Sequence, residues 1–347
     1  MTEMHSRSAI DEAPSQCGYA MPAEWSPHRR TWMCWPCRTE AWGSVAQMQR
    51  ARAGTAEIAR GISRFEPVVM IARPADAQAA EDACGAFGEI LVLPIDDSWA
   101  RDSGPTFVAG RGVAGVSWRF NAWGDKYRNY DNDKALSGRV IAHVGGRAFE
   151  APIVCEGGAI HVDGEGTLIT TEQCLLNPNR NPGRTREEIT DALRLNTGAE
   201  TVLWLPGEFA DVETDGHVDN IACFVSPGRL LLGIPSRAHA DFAAVARLKR
   251  FLSEARDAKG RAFEIIEIAQ PQRQREDWRE RPLAASYVNF YLVNGGLIMP
   301  AFDDPADLPA LSVLRNCFPQ REIVQINTLD IVEGGGGIHC ITQQEPI

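Results

Sequence analysis

Apolar residues recur at helical spacing in five stretches of the chain, and each stretch runs into a short β-rich segment. The first lies within about 42–64, where Val45, Met48, Arg52, Thr55, Ile58, Ala59 and Ile62 keep the period, and it leads into VVMIARP at 68–74. The second runs from about Asp133 to Val144 into FEAPIV, the third from about Thr185 to Leu195 into TVLWLPG. The fourth spans about His239 to Ala258 and enters FEIIEIAQP; the fifth, about Ala306 to Cys317, enters EIVQIN. Five helix-then-strand units at intervals of roughly 55–80 residues predict a repeat architecture. Between them lie hairpin-like pairs, IACFVSPGRLLLGIP turning at Pro227-Gly228 and NFYLVNGGLIMPAF turning at Asn294-Gly295.

Two glycine-biased segments strengthen the symmetry. Ile153-Val154-Cys155-Glu156-Gly157-Gly158-Ala159-Ile160-His161 aligns with Ile331-Val332-Glu333-Gly334-Gly335-Gly336-Gly337-Ile338-His339 at Ile, Val, two glycines, Ile and His. Pieces of one pseudosymmetric structure look like this, although a short glycine-rich match also arises by chance.

Composition narrows the class. The chain has 347 residues, 44% of them apolar and 23% charged, with no tract of ~18 apolar residues, so a soluble folded protein is expected. Its net charge of −11 argues against nucleic acid or an anionic membrane as partner and suits a cation. The nine cysteines are an odd, scattered set, and residues 1–18 read as a loose polar leader without the apolar core of a signal peptide. A reducing cytoplasm with free thiols is therefore expected. Cys34 and Cys37 form a lone CxxC without further ligands, which does not meet the needs of a structural zinc site.

Four segments are denser in polar residues than a core requires. Asp96-Asp97-Ser98-Trp99-Ala100-Arg101-Asp102-Ser103 follows the strand EILVLPI and reads either as a ligand loop or as a solvated loop with an Asp-Arg pair. Glu156-Gly157-Gly158-Ala159-Ile160-His161 lets backbone approach a ligand, but Glu156 and the missing Lys-Ser/Thr exclude a phosphate loop; His161 is equally a core histidine. In Glu213-Thr214-Asp215-Gly216-His217-Val218-Asp219-Asn220, strand alternation would put His217 and Asp219 on one face, fit for a proton shuttle or part of a metal site. Gly334-Gly335-Gly336-Gly337-Ile338-His339-Cys340 projects a thiol into a cleft, or buries it in a C-terminal strand. A thiol, a histidine and several carboxylates suit a cysteine nucleophile acting on a planar, forked cation such as a guanidinium.

With Met21-Pro22-Ala23-Glu24-Trp25, TWMCWP, DDSWARDSGP, FNAWGDKY, EGGAIHVDGEGTLITTEQCLLNPNRNP, DGHVDN and GGGGIHC in that order, nearly the whole chain resembles the agmatine deiminases of the guanidine-modifying superfamily. The resemblance implies a pseudo-fivefold α/β propeller (pentein fold) built from ββαβ-type modules, with 19–347 as a single catalytic domain and a homodimer as the assembly. It implies Cys340 as nucleophile, His217 as general acid/base, Glu156 bonding substrate and His217, and Asp97 and Asp219 gripping the guanidinium. It implies no cofactor and no metal. The substrate would be a small cationic guanidine, hydrolysed through an amidino-cysteine to a ureido product and ammonia, as agmatine is in putrescine biosynthesis. Because nearby carboxylates raise a thiol's pKa, thiolate formation is expected to need the bound cation.

Val212 stands where the family often has an acidic residue, with Asp211 before it and Asp215 inside the motif, so recognition of the substrate's far end is left open. Another guanidine, such as free or peptidyl arginine, is the alternative, with Arg101 and Arg128 as candidates for its carboxylate. A metallohydrolase built on His161, His217 and carboxylates, and a non-catalytic polyamine-binding protein, are the readings from other classes.

Overall fold

In the computed structural model, which describes residues 12–272 and 279–347, five separate sheets follow one another along the chain. Four of them repeat one plan: an antiparallel pair, a helix, and a third strand parallel to the second. A parallel pair needs such a crossover, and each periodic stretch supplies its helix. In blade II, Thr106–Gly110 pairs with Gly112–Arg119, and Leu136–His143 carries the chain to Arg147–Val154. Blade III uses Ile160–Val162, Thr167–Thr171, the helix Arg186–Thr197 and Thr201–Leu205. Blade IV has Ala222–Ser226, Arg229–Ile234, Phe242–Glu254 and Glu264–Ala269. Blade V has Tyr291–Val293, Gly296–Ala301, Asp307–Cys317 and Glu322–Asn327.

Blade I joins the two ends of the sequence. His28–Cys34, the helix Val45–Ser63 and Val68–Ala72 supply its second and third strands, and Glu89–Val92 adds a fourth. Its first strand is Thr342–Pro346, antiparallel to His28–Cys34 with Trp32 opposite Gln343. This closes the ring as a five-bladed α/β propeller of ββαβ modules. The first strands of neighbouring blades pack on each other, as between Thr342–Pro346 and Thr106–Gly110.

Local chemistry agrees with the elements. Ser44 caps Val45–Ser63 by accepting from the Gln47 N–H, and Thr185 with Glu188 forms a capping box on Arg186–Thr197, devices worth ~1 kcal/mol each. Gly228 and Gly295 take φ of +75° and +74° in their hairpins, as the turn signals required. The core is shared between blades: Val116 and Phe149 of blade II pack in one cluster with Leu168, Ile189 and Leu193 of blade III. Each such side chain contributes roughly 1.5–3 kcal/mol by leaving water.

The expected leader is too long at its described end. Pro14–Cys17 form a 3₁₀ turn, Pro14 is buried, and Cys17 packs against the blade II and III core; residues 1–11 lie outside the described residues. No helix among the described residues is long and apolar enough to cross a membrane.

Candidate active site

Each blade's first strand is entered by a short polar loop, and the five loops meet on one face. Blade II brings Asp97 and the helical turn Ala100–Ser103; blade III brings Glu156 and the 3₁₀ turn Gly157–Ala159. Blade IV brings His217 and Val218–Asn220, blade V brings Asn289, and blade I brings His339 and Cys340. The aligned glycine segments are thus both blade entrances. His217 and Asp219 are not on an alternating strand, because His217 caps a 3₁₀ turn and the strand starts only at Ala222. Neither a solvated Asp97–Ser103 loop nor a plain strand cysteine is found: Asp97, Arg101, Asp102 and Cys340 are buried, with Cys340 ahead of its strand.

Four of the five expected residues form two linked groups. Cys340 Sγ lies 3.7 Å from Asp219 Oδ2 and 3.4 Å from the Asn289 amide nitrogen, which donates to it. His217 Nε2 lies 3.6 Å from Glu156 Oε2, and its Nδ1 lies 3.9 Å from Asp102 Oδ1. Gly158 is where the groups meet: a Cβ there would come 2.6 Å from His217 Nδ1 and 3.0 Å from both Asp102 and Asp219. Only glycine lets these three side chains converge. Gly336 does the same for the thiol, since its Cβ would sit 3.1 Å from Cys340 Sγ and 2.6 Å from Trp99. Asp97 stands two residues before Trp99, with Arg38 Nε 3.2 Å from its Oδ2.

A second layer fixes these groups, and most of it was missed at the sequence level. Asp102 accepts from the Gly158 N–H and the Trp123 indole N–H, both at 2.9 Å. Arg180 donates to Glu156 Oε1 at 2.6 Å and to Asp215 at 2.8 Å. His339 is held between Asp219 Oδ2 and Glu24 Oε2, each 2.8 Å away. Asp102, Arg180 and Glu24 lie inside the segments that carry the resemblance, whereas Asn289, in ASYVNFY, carried no signal. Arg101 turns away to the His339 carbonyl and Gln344, and Arg128 is exposed, so neither is placed to hold a substrate carboxylate. Glu213 instead receives Arg279, Arg281 and Tyr127.

Electrostatics separates the roles. Burial first, then Asp219 and Asp102, pushes the Cys340 thiol well above its usual range. Burial pulls His217 down, but Asp102, Cys174 and Glu156 outweigh it and hold the imidazole protonated. Burial raises Asp97 to about 6 against the pull of Arg38. Glu156 falls to about 2 because Arg180 and His217 overcome its burial. Among the described residues, Asp219 Oδ1 and both His217 ring nitrogens are buried without a hydrogen-bond partner, and Asp97 Oδ2 has only its ion pair with Arg38. An unpaired buried carboxylate oxygen such as Asp219 Oδ1 is costly unless a ligand completes it, and a guanidinium offers the matching fork of N–H donors.

Glu156, Cys174 and His217 are the group of His, Cys and acidic side chains, among the described residues, whose ligand atoms lie within 4.8 Å of one another. His161 is not part of it, facing Glu24 and His339 instead, so the metallohydrolase constellation of two histidines is not assembled. A cavity of about 160 Å³ reaches His217, with Glu213, Asp241, Arg281 and Gly335 also on its wall.

Five ββαβ blades around a buried thiol, imidazole and carboxylates define a guanidine-modifying enzyme. The chain belongs to the Porphyromonas-type peptidyl-arginine deiminase family, whose sequence profile matches residues 20–346. It is 43% identical to the agmatine deiminase of Stutzerimonas stutzeri, covering 98% of both chains, and 42% identical to that of Pseudomonas aeruginosa, covering 96% of this chain and 97% of the other. Among solved structures, agmatine deiminase of Enterococcus faecalis matches with a TM-score of 0.91 at 33% identity, covering 97% of this chain and 98% of that one.

Proposed function

We propose that the chain hydrolyses agmatine to N-carbamoylputrescine and ammonia, a step of putrescine biosynthesis, with Cys340 as nucleophile. The observation that carries this is Asp219, whose Oδ2 faces the Cys340 thiol at 3.7 Å while its Oδ1 has no partner. One carboxylate thereby joins the nucleophile to a cation-binding edge.

Asp97 and Asp219 grip the guanidinium, and its charge offsets the field that keeps Cys340 protonated. The thiol proton leaves to solvent and the thiolate attacks the guanidinium carbon, the weak electrophile for which sulfur is the best protein nucleophile. Imidazolium His217 gives its proton to the departing nitrogen, ammonia leaves, and an amidino-cysteine remains. Neutral His217 then takes a proton from water as the hydroxide adds to that carbon. Collapse expels Cys340 sulfur, which recovers a proton from the product as the ureido group forms. Glu156, fixed by Arg180, holds His217 and a substrate nitrogen.

Arg281, paired with Glu213, lies on the wall of the cavity that reaches His217, so a carboxylate-bearing guanidine such as arginine is kept as the second reading. Ureido-product formation from agmatine, arginine and a peptidyl-arginine model, by wild type and Cys340→Ala, with and without chelator, separates these. Preferential turnover of agmatine, dependent on Cys340 and indifferent to chelator, is expected; turnover of arginine alone would move the reading to the alternative. The free cysteines accord with a reducing cytoplasm, and light scattering of the purified protein tests the homodimer that the resemblance implies.

A further inference from the structure

Cys174 takes no bond-making or bond-breaking role in the chemistry above, yet its thiol is fully buried against Glu156 and His217. Thr171 places it, accepting from the Cys174 N–H at the start of the turn Glu172–Leu175. Glu156 divides its two oxygens: Arg180 occupies Oε1, while Oε2 faces Cys174 Sγ at 3.9 Å and His217 Nε2 at 3.6 Å. Tetrahedral zinc with bonds of 2.0–2.3 Å sets its ligand atoms about 3.3–3.8 Å apart. The protein already holds the oxygen close to those separations from both the sulfur and the nitrogen, with all three atoms within 4.8 Å of one another.

We propose that Glu156, Cys174 and His217 form a zinc(II) site whose occupation shuts the enzyme off. Thiolate, imidazole and carboxylate are the donor set that zinc prefers over calcium or magnesium. The His217 ring has no hydrogen bond to give up. Arg180 beside the site is a cation, but Asp215 offsets it at 2.8 Å. On binding, the Cys174 thiol and the His217 imidazolium each lose a proton to solvent. Three protein ligands leave the fourth tetrahedral position for water, and the cavity touches the group at His217 alone. The inhibitory effect rests on His217 as acid/base, whereas the binding does not.

Cobalt(II) and zinc(II) titrations of Cys340→Ala test the site without the nucleophile. One equivalent of cobalt should give tetrahedral bands and a thiolate charge-transfer band, both displaced by zinc. Adding Cys174→Ser should abolish the charge-transfer band and weaken zinc binding about 10-fold or more. Should that double variant not fold, zinc-edge X-ray absorption of Cys340→Ala takes its place, with one sulfur expected among nitrogen and oxygen neighbours. In turnover assays zinc should inhibit wild type reversibly, and any residual activity of Cys174→Ser should be about 10-fold less sensitive. No stoichiometric binding, a sulfur count other than one, or a charge-transfer band that survives Cys174→Ser would overturn the site. Turnover retained by Cys340→Ala would overturn the functional reading instead, leaving the metal titration intact.

Discussion

His339 Nδ1 lies 2.8 Å from Asp219 Oδ2, the same oxygen that faces Cys340 Sγ at 3.7 Å. With its other nitrogen 2.8 Å from the Glu24 carboxylate, the ring needs a proton on each side to donate both bonds. Burial and Arg101 push the His339 pKa down, but Glu24 and Asp219 prevail and raise it. A buried imidazolium therefore stands behind the carboxylate that meets the Cys340 thiol.

Removing that imidazolium leaves Asp219 and Glu24 as uncompensated buried charges. His339→Ala should lower kcat/KM about 100-fold, ~2.7 kcal/mol of transition-state stabilisation. The field on Cys340 becomes more negative, so the rising limb of the pH profile should also move to higher pH. A pH-rate series on agmatine checks both effects, and an unmoved limb would argue that His339 is structural only.

The thiol of the free enzyme should be largely protonated at neutral pH. Thiolate is the reactive form, so alkylation of Cys340 should be slow at pH 7 and accelerate as pH rises. A non-reactive guanidinium-like cation should lower the pKa seen by thiol absorbance. A thiol already ionised at neutral pH and indifferent to the cation would exclude substrate-assisted activation.

Gly158→Ala should fold but lose activity. The added carbon would fall 2.6 Å from His217 Nδ1 and displace it together with Asp102 and Asp219, and a misplacement near 1 Å costs on the order of 10²-fold. Circular dichroism and kcat on the same preparation distinguish misplacement from misfolding.

Arg180→Met tests the pair with Glu156, both fully buried. Loss of the guanidinium strips the fully buried Glu156 of its closest cation, at a cost of roughly 3–5 kcal/mol, whereas Asp215 keeps Lys126 at 2.8 Å. In wild type the Glu156 pKa is depressed to about 2, so its stabilisation is complete above the unfolded value near 4.5 and fades as pH falls through the interval between them. Without Arg180, burial raises the Glu156 pKa, so less stability is lost on acidification and the variant's deficit against wild type should narrow as pH falls. Melting temperatures from pH 7 down to 3 measure the narrowing.

The outer helices were legible because each buries a stripe on its own sheet, a local need written as a period: Arg186–Thr197 and Asp307–Cys317 lie within two residues of their expected bounds. The closing strand Thr342–Pro346 was not, since TQQEP has no apolar signature although all five residues are buried. Its neighbours provide the reason, as when the Trp32 indole N–H donates to Glu345 across 313 positions. The expected site residues came through the motifs and the resemblance, but their supports did not. Glu24 reaches His339 and Asn289 reaches Cys340 only through ring closure, which no spacing along the chain encodes.

The covalent step is the central claim, and peptide mass spectrometry of protein quenched in acid during agmatine turnover tests it most directly. The expected result is a peptide containing Cys340 that carries agmatine less ammonia, enriched in His217→Gln, where release of the adduct is slowed. Turnover without any such adduct, or an adduct on a different residue, would contradict it.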